Sequence, residues 1–73
     1  MNLFLSEIKS PGTFTVINIT GSETTRILEM GITPGIRIEV LRKAPTGYPI
    51  EIRVRGGLLS LRETEAKSIE LKG

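Results

Sequence analysis

Glycine and proline recur so often in this sequence that they divide it into short segments. The breaks are mostly fewer than about ten residues apart, a spacing typical of all-β domains. They fall at Pro11-Gly12, Gly21, Gly31, Pro34-Gly35, Pro45, Gly47, Pro49 and Gly56-Gly57. The sequence therefore predicts short strands joined by turns. Ser10-Pro11-Gly12-Thr13 and Thr33-Pro34-Gly35-Ile36 both carry the proline and glycine of a type II turn, and each is expected to lead into a strand.

Two neighbouring strands follow from the alternation of apolar and charged residues. Residues 50–55 alternate without a break, and residues 36–42 follow the same pattern apart from Leu41, so each segment has one apolar face. Residues 43–49 are expected to join them as a hairpin. Glu39 and Arg53 would then pair across its outer face.

Three further strands are predicted from shorter patterns. Residues 14–19 form one, with a bulge near Asn18 because the apolar spacing changes there. Residues 58–62 and 68–71 form the others, and residues 63–66 between them are long enough for about one helical turn. About five short antiparallel strands bury their apolar faces best by closing into a small barrel, which defines an all-β fold class.

One segment, 22–30, has the signals of a short helix of about two turns. Ser22 is the predicted N-cap and Gly31 the C-cap glycine, while Ile32 suits the apolar contact of a Schellman ending. Pro34 prevents continuation. The apolar face of the helix is expected to seal one mouth of the barrel. A cluster of Leu3, Phe4, Leu5 and Ile8 is expected to pack as a short turn or strand on the opposite side.

Residues 1–73 are predicted to form a single domain, since no linker, repeat or low-complexity tract divides them. No run approaches the ~20 apolar residues that cross a bilayer. The first five residues lack the basic start and apolar length of a signal peptide. The expected location is the cytoplasm.

The sequence contains neither histidine nor cysteine, which argues against enzyme activity and against a metal site. General bases near neutral pH, nucleophilic triads and ferrous or zinc sites depend largely on these residues. Glu63 and Glu65 could hold a hard cation weakly, but a solvated turn is the favoured interpretation. The glycines have no phosphate-loop spacing. No cofactor is expected.

Nucleic-acid binding is not expected either. Ten basic against eight acidic residues give a net charge of only +2, and the signs alternate along the chain. Arg37, Arg53, Arg55 and Arg62 could form a basic face, but only Tyr48 is available for stacking, because Phe4 and Phe14 are predicted to be core residues.

Residues 43–49 remain as a candidate for protein recognition. This loop is long for a hairpin and displays the only tyrosine between two prolines, which reduce its conformational freedom. The simpler interpretation, that proline and glycine merely make the turn, is equally compatible with the pattern. Leu41, beside it, falls on the outer face of its strand, either covered by a loop or exposed as a contact. The covered position is favoured.

An ordered set of motifs resembles the FeoA family. The motifs are Leu28-x-x-Gly31-x-x-Pro34-Gly35, Ala44-Pro45-x-Gly47-x-Pro49-Ile50, Arg55-Gly56, Leu61-Arg62 and Glu65-Ala66, and the match spans residues 6–71. The resemblance implies an SH3-like barrel. It also implies a small cytoplasmic accessory protein of bacterial ferrous iron uptake, peripheral to the membrane through its partner, a FeoB-type transporter with a GTPase domain. At Tyr48 the sequence departs from the family, which often has Asp there.

Together, the loop and the resemblance predict a protein that modulates the transporter by docking and carries no iron itself. The hypothetical partner contacts are Arg26, Leu41, Arg42, Lys43, Pro45 and Tyr48. The alternatives are a nucleic-acid-binding small barrel and an iron-responsive regulatory module, since a related barrel forms the C-terminal domain of some iron-dependent repressors. A metal carrier ranks below these. Weak self-association stays open.

Overall fold

The computed structural model describes residues 2–73, and six strands and two short α-helices lie within them. Met1, the first residue of the segment weighed as a signal peptide, is outside the described residues. The strands are β1 (Asn2–Phe4), β2 (Gly12–Ile19), β3 (Arg37–Lys43), β4 (Ile50–Val54), β5 (Gly57–Leu61) and β6 (Ile69–Lys72). The helices are α1 (Thr24–Glu29) and α2 (Glu63–Ala66), and Leu5–Glu7 form a 3₁₀ turn.

All the strands belong to one antiparallel sheet in the order β1-β6-β2-β3-β4-β5. The mostly β fold class is confirmed, but the sheet has six strands where about five were expected, because residues 2–4 form an additional strand that pairs with β6. The expected ring of strands does not close. In the part of the chain that the structure describes, β1 and β5 are the sheet edges, each paired on one side only.

The inner face of the sheet forms one continuous apolar cluster. It combines residues from β2, β3, β4, β5 and β6 with residues from the 3₁₀ turn and both helices. The side chains with no exposed surface include Leu5, Val16, Ile27, Ile32, Ile50, Ile52, Leu61, Ile69 and Leu71. Burial of these branched side chains is the main favourable contribution to folding of this small domain.

The pairing of β3 with β4 confirms the predicted hairpin and its outer ion pair. Arg53 Nη1 lies 3.0 Å from Glu39 Oε1. The register shifts between Val40 and Arg42, so Leu41 is the extra residue of a bulge and is half-buried. A second shift lies between Val16 and Asn18 on β2, which confirms the bulge predicted there.

Only one of the two Pro-Gly tetrapeptides forms the predicted type II turn. Gly35 has a φ of +95°, and the N–H of Ile36 donates to the Thr33 carbonyl at 3.1 Å. The prediction at Pro11-Gly12 was wrong. Gly12 has no left-handed φ and is already the first residue of β2, paired with Val40.

Helix α1 is shorter than the predicted 22–30 and begins differently. Ser22 is not its N-cap, because the capping position is Glu23 and makes no side-chain bond, while the Thr24 hydroxyl donates to the Gly21 carbonyl at 2.7 Å. The predicted Schellman ending is confirmed. The N–H of Gly31 donates to the Leu28 carbonyl at 3.0 Å, and the N–H of Ile32 donates to the Ile27 carbonyl at 3.3 Å. Ile27 carries the apolar face of the helix into the core.

Candidate functional site

The loop between β3 and β4 is fixed by hydrogen bonds among its own residues. The N–H of Ala44 donates to the Pro49 carbonyl at 3.1 Å, and the N–H of Gly47 donates to the Ala44 carbonyl at 2.7 Å. The Thr46 hydroxyl donates to the Tyr48 carbonyl at 3.2 Å. Gly47 has a φ of +105°, a conformation that favours glycine. The loop is therefore ordered before any partner binds.

Lys43 anchors the base of this loop. Its ammonium Nζ donates to the Ser6 carbonyl at 3.2 Å and lies 5.7 Å from the centre of the Tyr48 ring, within the range of a cation–π contact. Tyr48 is half-buried and packs against the core cluster. Lys43, one of the hypothetical partner contacts, thus also connects the loop to the N-terminal segment.

Tyr48 lies at one side of an open cleft between the loop and the two helices. This cleft has a volume of about 560 Å³. We call it the helix–loop cleft, and its lining residues are Arg26, Met30, Tyr48, Pro49, Ser60, Arg62 and Glu65. Three separate chain segments, residues 26–30, 48–49 and 60–65, supply these side chains. Concave sites of this size are common places for binding.

A buried carboxylate holds the helix side of this cleft together. Glu65 is only 3% exposed. Its Oε1 accepts the backbone N–H of Arg62 at 2.8 Å, as in the N-terminal capping of a helix, and its Oε2 lies 2.9 Å from Nε of Arg26. Both carboxylate oxygens are therefore bonded. The pair joins helix α1 to the start of helix α2.

The sequence interpretation of Glu65 as a solvated turn residue was wrong. Glu65 lies in helix α2 directly before Ala66, and both residues are buried. An acid at the third position of a helix, followed by a buried alanine, was the available signal. Nothing in the sequence pattern, however, showed that Arg26 would be its partner.

A second cleft lies on the other side of the loop. It has a volume of about 400 Å³ and is lined by Arg42, Lys43, Ala44, Pro45, Pro49 and Glu51. Arg42 pairs there with Glu51 across the β3–β4 ladder. Because both partners are substantially exposed, this ion pair contributes little to stability.

The six predicted contact residues do not lie on one surface. Arg26 and Tyr48 line the helix–loop cleft, whereas Arg42, Lys43 and Pro45 line the second cleft. Leu41 is at the bulge of β3. The sequence reasoning missed Met30, Arg62 and Glu65 as cleft residues.

Outside the two clefts, the part of the chain that the structure describes has two further ion pairs. Arg53, one of the four arginines considered for nucleic acid, pairs with Glu39. Lys67 Nζ lies 3.0 Å from Glu63 Oε2. The Glu63 carboxylate accepts a hydrogen bond from Lys67 and attracts its charge, and it thereby raises the pKa of the Lys67 ammonium above its ordinary value.

Among residues 2–73, no group of three or more acidic, histidine or cysteine side chains is placed to hold a metal ion. Within the same residues, no helix is both long and apolar enough to span a membrane.

The model of the FeoA domain family matches residues 4–72, nearly the whole chain. The chain belongs to the FeoA domain family. This confirms the resemblance carried by the Pro-Gly motifs. Membership makes the chain a non-catalytic accessory protein associated with ferrous iron transport. Curated proteins, compared by sequence, gave no match.

Solved structures of FeoA proteins share the fold. The FeoA-like protein from Clostridium acetobutylicum is 38% identical, with a TM-score of 0.90 over 97% of this chain and 85% of that one. An iron uptake regulatory protein, FeoA, is 30% identical, with a TM-score of 0.86 over 99% and 96%. FeoA from Stenotrophomonas maltophilia, complexed with zinc and described as a prokaryotic SH3 domain protein, is 24% identical, with a TM-score of 0.82 over 96% and 89%. The last similarity confirms the SH3-like fold.

Proposed function

We propose that this FeoA-family chain regulates ferrous iron uptake by docking on the cytoplasmic side of a FeoB-type transporter. The observation that carries the proposal is the helix–loop cleft. It brings Tyr48 of an ordered loop next to Arg26 and Met30 of the α1 region, in a protein of a family associated with ferrous iron transport. A surface assembled from several segments and fixed in advance loses little entropy when a partner binds.

Contact with the transporter, rather than transfer of iron, is the proposed mechanism. Ferrous iron in proteins is bound mostly by histidine, cysteine and carboxylate side chains. The sequence has no histidine or cysteine. Glu65, the acid inside the cleft, is occupied by Arg26 and by the Arg62 N–H. The side chains of the cleft therefore suit a protein partner better than an iron ion.

The proposal places residues 1–73 as one cytoplasmic domain that reaches the membrane only through its partner. Of the predicted contacts, Arg26 and Tyr48 belong to the primary surface. Arg42, Lys43, Pro45 and Leu41 are proposed as a secondary surface behind the loop, with Arg42 and Lys43 providing positive charge that favours approach to an acidic partner.

Binding of the labelled chain to the transporter in lipid nanodiscs tests the proposal. Affinity is measured without nucleotide, with GDP and with a non-hydrolysable GTP analogue. We expect binding in at least one state, and Tyr48→Ala should weaken it by about tenfold because a half-buried aromatic side chain that lines a cleft is a typical binding hot spot.

Leu58→Ala is the matched control, because Leu58 is apolar, 66% exposed and lies at the start of β5, outside the lining of the cleft. The affinity of the Leu58→Ala variant for the transporter should equal that of the unmodified chain. Absence of binding in every nucleotide state would refute docking. Equal weakening by both substitutions would refute the cleft as the contact.

A further inference from the structure

We propose that the helix–loop cleft is selective for a short acidic segment of a protein partner. A carboxylate of that segment would pair with Arg62 and Arg26, and a neighbouring apolar side chain would pack against Tyr48, Met30 and Pro49. This inference rests on the proposed function in one respect, namely that the protein which carries the acidic segment is the transporter.

The first support is the charge that the cleft presents. Its lining contains two arginines and one glutamate. Glu65 is buried and its two oxygens are already bonded, so it has no accessible oxygen with which to bind a cation. The arginines, in contrast, are exposed, and so the groups available to a ligand are positive. Charge complementarity favours an acidic partner.

The second support is the way in which Arg26 is held. Its Nε lies 2.9 Å from an oxygen of the buried Glu65 carboxylate, while 59% of the Arg26 side chain remains exposed. A guanidinium fixed through one nitrogen loses less conformational entropy when it binds a second carboxylate. Glu65 is therefore a positioning residue for Arg26.

Arg62 supplies a second cation with different constraints. Its backbone N–H is used by Glu65, but its guanidinium is exposed, and within residues 2–73 no acidic side chain forms an ion pair with it. Two guanidinium groups in one cleft suit a carboxylate, because arginine can donate two parallel hydrogen bonds to it.

The third support is the apolar part of the lining. Met30 and Tyr48 are half-buried and pack against the core, and Pro49 lies beside Tyr48. Methionine and tyrosine present adaptable apolar surface to a binding partner. A volume of about 560 Å³ accommodates a short peptide stretch. Nucleic acid fits less well, since its affinity depends on many phosphate contacts and this cleft offers two cationic side chains.

Selection from a random twelve-residue peptide library displayed on phage tests the inference. We expect enriched peptides to contain Asp or Glu next to an apolar residue. The best peptide is then synthesised in two versions, one with its Asp or Glu residues and one with Asn or Gln in their place. The binding of each version to the chain is measured by fluorescence anisotropy. The amide version should bind about tenfold more weakly.

Arg62→Glu is the decisive variant and Arg37→Glu its matched control, since Arg37 is also exposed and lies at the start of β3, opposite Thr15. Amide NMR spectra confirm that both variants fold. Arg62→Glu should weaken binding of the acidic peptide by about tenfold or more, and it should improve binding of a peptide that has Lys in place of the acidic residue. Arg37→Glu should leave both affinities unchanged.

Several outcomes would overturn the inference. They are no enriched peptide, no excess of acids among the enriched peptides, equal binding of acid and amide versions, or equal effects of the two arginine substitutions. Displacement of the peptide by an oligonucleotide or by inorganic phosphate at lower concentration would assign the cleft to phosphate-bearing partners instead.

The transporter experiment separates this inference from the proposed function. If the transporter binds the chain and Arg62→Glu has no effect, docking stands and selectivity for an acidic segment fails. If acidic peptides select the cleft but the transporter does not bind, the inference stands and the proposed partner is wrong.

Discussion

The two walls of the helix–loop cleft are built by different kinds of contact. The helix wall comprises Arg26, Met30 and Glu65. It depends on contacts between residues far apart in sequence, namely the ion pair between Arg26 and the buried Glu65 carboxylate and the packing of Ile27 in the core. The loop wall, Tyr48 and Pro49, depends mainly on hydrogen bonds within residues 44–49.

This difference separates stability from recognition. A substitution on the helix wall removes tertiary contacts, so it lowers the free energy of unfolding and distorts the cleft at the same time. A substitution on the loop wall removes a contact surface and, at the half-buried Tyr48, only packing at the edge of the core. We therefore expect thermal stability and partner affinity to fall together on the helix wall, and affinity to fall with a smaller loss of stability on the loop wall.

Ile27→Ala should give the largest loss of stability. A small loss would contradict the dependence of the helix wall on the core. Ile27 has no exposed surface and connects α1 to the core. Removing its branched side chain should lower the free energy of unfolding by about 3 kcal/mol, measured by urea denaturation. Ile27→Val, which keeps most of the volume, should cost about 1 kcal/mol. Equal effects of the two variants would show that α1 is not packed as described.

Glu65→Ala should have the next largest effect. It removes both the bond from the Arg62 N–H and the partner of Arg26, at an expected cost of about 2 kcal/mol. Glu65→Gln retains an acceptor for the N–H and should lose only about half as much. The same urea experiment measures both variants. A change below about 0.5 kcal/mol for the alanine variant would mean that the helix wall does not depend on this carboxylate.

Gly31→Ala and Gly47→Ala compare the walls at equivalent backbone positions. Both glycines have a positive φ, +91° and +105°, and a Cβ on either would have no atom within 4 Å. Each substitution should therefore cost a similar amount, about 1 kcal/mol, from backbone strain alone. Similar values would show that the walls differ in tertiary contacts and not in local geometry. A cost at Gly31 several times that at Gly47 would contradict this.

The exposed Glu63–Lys67 pair should have the smallest effect, in contrast to the neighbouring pair, in which the Glu65 carboxylate is buried. Glu63 raises the pKa of Lys67, so charged Lys67 stabilises the fold at pH values below its ordinary pKa of 10.5. This contribution is lost as the pH rises through the raised pKa. The difference in stability between the unmodified chain and Lys67→Met should therefore shrink from pH 8 to pH 11. A difference that grows with pH would have the wrong sign.

Local sequence patterns predicted the strands well because alternation reports which side chains face the core. Patterns that are compatible with two different local structures were less informative. Pro11-Gly12 and Pro34-Gly35 are the same dipeptide, but Gly12 is drawn into the ladder by pairing with Val40, whereas Gly35 keeps a positive φ. Ser22 had the chemistry of an N-cap, yet the chain begins α1 two residues later. Strand pairing accounts for the first case, and in the second a local hydrogen bond from the Thr24 hydroxyl to the Gly21 carbonyl accompanies the later helix start.

The candidate site was only half predictable from the sequence. The loop with Tyr48 could be identified from its prolines and glycine, which act locally. The helix wall required knowledge that Glu65 would be buried against Arg26, a contact between residues distant in the chain. Arg62 was considered only as part of a basic face. Its position in the cleft follows from the turn between β5 and α2.

The most direct test of the central claim, that both walls of the cleft contact one partner, is an NMR footprint. The ¹⁵N-labelled chain is titrated with the FeoB-type transporter in nanodiscs, and loss of amide signal is followed residue by residue. We expect the signals of the cleft residues to weaken first and together, while those of β1 persist longest. These cleft residues are Arg26, Met30, Tyr48 and Arg62. Early loss confined to β1 and β6, with the cleft signals retained, would contradict this claim.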